Sequence, residues 1–170
     1  MRLLVLLTLA FMLVIPVYAL NFIVPADGAV VTAQLNPGIY KVIVDGTYKY
    51  DYQDWAIADA EWLLTSNYNW YEYPTLDPTQ QICDITINGD FFDWKGFQPD
   101  GLYVEHTLSN SHEYMMELTL GGTTEFQIYD PWYYYDNSGS LNVVVTPVPE
   151  PASLLAIGGG LSLLLLKRRL

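Results

Sequence analysis

The sequence predicts an all-β protein, an antiparallel β-sandwich, and three observations carry that prediction. Hydrophobic residues alternate with a period of two through most of the chain's middle. Clusters of Gly, Asn, Asp and Pro separate the alternating runs at short intervals. Both ends differ in composition from what lies between them. The chain therefore divides into residues 1–19, a β-sandwich domain over 20–146, and a tail over 147–170.

Residues 1–19 have the layout of a secretory signal peptide. Arg2 precedes an apolar stretch, Pro16 stands near its end, and Val17-Tyr18-Ala19 supplies the small or branched residues that a signal peptidase accepts. Cleavage is expected after Ala19. The next runs are strands: Tyr40, Val42 and Val44 alternate with Lys41 and Asp45. Tyr114, Met116, Leu118 and Leu120 alternate with Glu113, Glu117 and Thr119, and Leu141, Val143 and Val145 alternate with Asn142 and Thr146. Turns are expected at Asn36-Pro37-Gly38, Asp45-Gly46, Asn88-Gly89-Asp90, Pro99-Asp100-Gly101, Gly121-Gly122 and Asn137-Ser138-Gly139. Within the body only residues 55–64 leave room for a helix. Cys83 shares the parity of Ile85 and Ile87, which marks it as a buried small hydrophobe.

Composition excludes several functions. The 170 residues hold 19 acidic and 7 basic side chains, a net charge of -12. That balance speaks against nucleic acid, whose phosphates require clustered Lys and Arg. One cysteine excludes an internal disulfide and any multi-cysteine metal site. Between residues 20 and 148 the basic residues are Lys41, Lys49 and Lys95 alone, facing 18 acids. An exported body this acidic points to solubility, divalent cations or both.

Catalysis is not expected. No nucleophile motif, phosphate loop or HExxH pattern is present, and abundant acids do not single out a catalytic pair. His106 and His112 are the two histidines. His106 shares parity with Leu102, Val104 and Leu108, so a partly buried structural role is expected. The informative loop is 128–140. Asp130, Asp136 and Asn137 are hard oxygen donors at its two ends, which suits calcium, while a hairpin turn at Asn137-Ser138-Gly139 explains the same letters without a metal. Its aromatic run from Trp132 to Tyr135 fits either stacking on sugar rings or packing over a sheet edge.

The segments Asn36-Pro37-Gly38, Val44-Asp45-Gly46-Thr47-Tyr48-Lys49-Tyr50 and Asp130 … Asp136-Asn137-Ser138-Gly139-Ser140 resemble the PA-IL-type galactophilic lectins. Those are small calcium-dependent β-sandwiches, and the resemblance implies a jelly-roll or galactose-binding-like fold. It further implies a calcium set of Asp130, Asp136, Asn137 and the backbone carbonyl of Tyr50. Trp132, Tyr133 and Tyr134 would then be the ligand-binding aromatics. Two departures stand out: Asp136 replaces the family's first asparagine, and the loop is one residue shorter. Residues 54–82 contain no histidine where the family places a sugar contact, only Gln80 and Gln81. The resemblance thus carries over fold and metal site but not sugar specificity.

The tail has three parts in order. Pro149-Glu150-Pro151 is followed by an uncharged apolar stretch of 15 residues over 152–166 and then by Lys167, Arg168 and Arg169. At about 1.5 Å per residue that stretch falls short of a hydrocarbon core roughly 30 Å thick. The basic triplet is expected to remain cytoplasmic, leaving the body outside. This arrangement resembles the PEP-CTERM sorting signal of Gram-negative bacteria. The resemblance implies an inner-membrane precursor with a transmembrane helix over 152–166. It also implies processing by exosortase, and company with an exopolysaccharide or other glycan. The function expected from the whole is an exported, lectin-like, calcium-dependent glycan-binding module of the cell surface or extracellular matrix. The alternative is a non-catalytic structural matrix or biofilm protein with no specific sugar ligand.

Overall fold

A computed structural model describes residues 18–53, 56–64, 66–72, 84–130 and 134–149. Gln80, Gln81, Cys83, Trp132, Tyr133, the expected signal peptide up to residue 17, Glu150, Pro151, the apolar stretch 152–166 and the basic residues 167–169 lie outside the described residues. Among the described residues the structure is nearly all antiparallel β. Among those residues the one helical element is a single 3-10 turn, Tyr134–Asp136, and no helix is long and apolar enough to cross a membrane.

Eleven strands follow in chain order: β1 (Leu20–Pro25), β2 (Val31–Asp45), β3 (Tyr48–Lys49), β4 (Ile57–Ala58), β5 (Trp62–Leu64), β6 (Trp70–Glu72), β7 (Asp84–Ile87), β8 (Lys95–Phe97), β9 (Tyr103–Glu105), β10 (Glu113–Tyr129) and β11 (Ser138–Pro147). The main path runs β6-β5-β4-β3-β11-β2-β10-β8-β9, with β1 paired to β11 and β7 paired to β10. The spine is β2 against β10, in register from Asp45↔Glu113 to Val31↔Phe126. Parity works here as the sequence predicts. Val42, Val44, Tyr114, Leu141, Val143 and Val145 are buried at 0% exposure, whereas Glu117, Thr119 and Gly121 face solvent. Phe126 of β10 meets Phe22 of β1 edge-on at 4.9 Å, although the two strands are not paired.

Two expected turns are instead a matched irregularity inside the spine. The ladder passes from Leu120↔Gly38 to Gly122↔Leu35, skipping a residue on β10 and two on β2. Pro37 has no N–H to donate, so the ladder breaks where it stands, and the bulge absorbs the mismatch. Gly121 is required there: a Cβ on it would sit 2.9 Å from Pro37 Cα. Asn88-Gly89 does turn the chain, with positive φ at both residues and an Ile87↔Asp90 bridge. Gly101 turns it between β8 and β9.

Three further expectations are corrected. The segment left open for a helix forms β4 and β5, because Asp59 Oδ1 accepts the amides of Glu61 (2.9 Å) and Trp62 (2.7 Å) and closes a tight side-chain turn between them. Asn137-Ser138-Gly139 is not a hairpin tip, since Ser138 and Gly139 already belong to β11 and pair with Lys49 and Tyr48. The face of β9 carrying Val104 points outward, and Leu102, Val104 and His106 are all exposed.

Candidate functional site

The loop between β10 and β11 meets the end of β3. Antiparallel register pairs Ser138 with Lys49, so the next step along both strands sets Tyr50 beside Asn137. Asp130 follows directly on Tyr129, the last residue of β10, and Asp136 closes the 3-10 turn that leads into Asn137. The four residues expected to form a metal set therefore come from the ends of three strands at one place in the fold. Asp130 and Asn137 are buried. The Tyr50 amide donates to the Ala56 carbonyl at 3.0 Å, and its hydroxyl donates to the Leu64 carbonyl at 2.9 Å, which fixes that backbone.

The orientation of Asn137 is set by its partners. Its Nδ2 donates to the Ala26 carbonyl and to Asp130 Oδ2, each at 3.1 Å. Both partners are acceptors, so the amide cannot be reversed, and Oδ1 must point away from them. That buried Oδ1 has no hydrogen-bond partner, and neither does the buried Oδ1 of the adjacent Asp136. Leaving two acceptor oxygens so placed is costly unless something positive meets them. Burial pushes the Asp136 carboxyl above the usual carboxylate range, and the charges of Asp130 and Asp51 push it the same way. A hard cation would satisfy the orphaned oxygens and reverse the repulsion. The donors are all oxygen, which fits calcium.

The aromatic neighbours are unequal. Tyr134 lies flat against Gly28 in the β1–β2 turn, where a Cβ would come within 2.4 Å of its ring; Gly28 also has φ of +80°, so only glycine suits the position. Burial raises the pKa of the Tyr134 hydroxyl. Tyr135 and Tyr52, which flank the same oxygens in sequence, are 74% and 71% exposed. Sequence reasoning passed over Tyr52 and Asp51, although both follow Tyr50 directly.

A second polar cluster, which sequence reasoning did not assemble, lies where β4, β5, β8, β9 and the start of β10 meet. Buried Asp59 accepts from His112 Nδ1 at 2.8 Å and from the Tyr114 hydroxyl at 2.7 Å, besides the two amides of its own turn. Burial, followed by the Asp59 charge, drives the Tyr114 hydroxyl far above its ordinary pKa, so it stays a donor. Trp70 packs on His112 with ring centroids 4.9 Å apart. Beside this, Glu61 Oε2 accepts the amide of the fully buried Trp94 at 2.9 Å. Ligand atoms of Glu61, Asp93 and His106 lie within 4.8 Å of one another. The one signal in the sequence was the scarcity of histidine, since both copies are spent here.

No family model matches the chain, and no curated protein matches it. Among solved structures, a protein of Sulfurospirillum deleyianum is similar at 11% identity and a TM-score of 0.31, over 78% of this chain and 99% of that one.

Proposed function

We propose that the protein is an exported, calcium-dependent glycan-binding module, folded as a jelly-roll-like β-sandwich and sorted by exosortase to the cell surface or matrix. The sandwich reading is supported by the Phe22–Phe126 contact between unpaired strands and by the register shift in the β2–β10 spine, the kind of irregularity at which a long strand pair bends. The observation that carries the ligand reading is the orphaned Asn137 Oδ1, held by the grip of Ala26 and Asp130 on its Nδ2, beside the orphaned Asp136 Oδ1. Asp130, Asp136, Asn137 and the Tyr50 carbonyl would hold the ion. Its remaining positions would go to sugar hydroxyls, since calcium takes six to eight oxygens. Tyr52 and Tyr135, exposed and close to these donors in sequence, offer flat faces for a sugar ring.

A non-catalytic structural role is the second reading, and the packing of Tyr134 onto Gly28 favours it. With Tyr134 occupied by that contact, the ion would brace β3 against β11 without meeting a ligand. A glycan array with and without EDTA separates the two. Calcium-dependent sugar capture supports the module; calcium uptake without capture supports the brace.

A further inference from the structure

We infer that Glu61, Asp93 and His106 form a second metal site, one that takes a divalent transition ion such as zinc. The three arrive from separate parts of the chain. Glu61 leads into β5, Asp93 precedes β8, and His106 follows β9. Strands β8 and β9 pair through Lys95↔Glu105, so the next step outward places Trp94 beside His106 and sets the imidazole close to Asp93. Glu61 is carried to the same point by the hydrogen bond from the Trp94 amide to its Oε2, with the Trp94 side chain fully buried beneath. One nitrogen and two carboxylate oxygens then lie within 4.8 Å of one another.

Chemistry chooses the ion. Two carboxylates at this distance repel, and Glu61, only 5% exposed, has little water to soften that repulsion. A single imidazole, even protonated, balances one of the two charges, whereas a divalent cation balances both. Calcium prefers an all-oxygen shell; an imidazole beside two carboxylates is a zinc, cobalt or manganese donor set. Three protein ligands leave a fourth position open to water or an added group. The Trp94 amide on Glu61 acts as the outer hydrogen bond that orients a ligating carboxylate. His112, whose Nδ1 donates to Asp59, is not among the residues whose ligand atoms converge here. The loop oxygens at Asp130–Asn137 are a separate, oxygen-only set, so this inference stands apart from the calcium reading.

The test is a cobalt(II) titration of the EDTA-stripped full chain, followed by visible absorption and by competition with zinc. The expected result is one cobalt per chain with the absorption of nitrogen-containing coordination, displaced by zinc and unchanged in Asp130→Ala. His106→Ala should weaken uptake by about tenfold or more and abolish the absorption. Circular dichroism reads whether that variant folds; if it does not, Asp93→Asn, which keeps the side chain's size, decides in its place. No uptake overturns the inference, since the three residues are then an ion pair between His106 and two acids. Uptake that survives His106→Ala, or that disappears with Asp130→Ala, overturns it as well.

Discussion

At the scale of single residues, Asn137 and Asp136 set the terms of the loop proposed to hold calcium. Asn137 spends both amide hydrogens on protein acceptors, so its oxygen is available by construction. Calcium that binds only the folded chain should stabilise it by about 2.7 kcal/mol at a hundredfold excess over Kd, a rise in melting temperature of roughly 10 °C. Asp130→Ala should erase that rise in a thermal melt with and without calcium, because it removes a charge and one of the two acceptors that orient Asn137. Asp136 gives a pH test. Its folded-state pKa is raised above the unfolded value by burial and by Asp130 and Asp51. Without calcium, its contribution to stability is therefore complete below the unfolded pKa and is lost as pH rises through the folded one. Asp136→Asn should flatten that decline in calcium-free melts, and at neutral pH it should be more stable than the parent while losing the calcium response. A variant that melts lower than the parent at every pH would contradict this.

At the scale of elements, the strands were legible wherever one face of a run is buried by strands on both sides. Tyr40, Val42 and Val44 lie on a strand flanked by β10 and β11, and their parity told which face is inside. On β9, at the end of the main path, the same rule misled: alternation separates two faces, but neighbouring strands decide which one is covered. Asn36-Pro37-Gly38 and Gly121-Gly122 read as turns because turns and bulges draw on the same residues. Only their mutual register, over eighty residues apart, shows the bulge. The loop proposed to hold calcium stands out in the sequence because its candidate donors sit at the two ends of one short loop. The Glu61, Asp93 and His106 cluster was not, since three strand ends bring it together and no spacing records that. Holding β4, β5 and β10 together is the Asp59 network, in which Tyr114 is the buried donor. Tyr114→Phe leaves the carboxylate one bond short and should cost about 1.5–3 kcal/mol in urea unfolding, with the slope unchanged. A loss below half a kilocalorie (about the scatter of surface substitutions) would mean the network adds nothing to stability.

At the scale of the molecule, the proposed sorting signal meets the architecture at the C-terminal end of β11. Pro147 still pairs with Tyr40, the Val148 amide donates to the Ile39 carbonyl at 2.8 Å, and Pro149 is already exposed. The Pro-Glu-Pro motif thus begins within two residues of the sheet, so a processing enzyme would have to work close against the folded body. Glu150→Ala is expected to slow processing and to accumulate precursor in the inner membrane, seen as a heavier band in the membrane fraction. Unchanged processing would argue against a sorting signal.

The pairing of β1 with β11 bears on timing. Leu20 lies opposite Val145, and β11 is also the strand to which β2 and β3 attach. If the chain is exported as proposed, nearly the whole body must leave the channel before its first strand can find a partner, so it would cross the membrane without closing prematurely. A pattern dominated by such distant pairings also folds slowly, on the millisecond-to-second scale typical of β proteins. During that interval β1 is an unpaired edge. On a chain exported and held by its tail, as proposed, the exposed moment would fall before release, at the membrane face, where neighbouring chains emerging together could pair through the same edge.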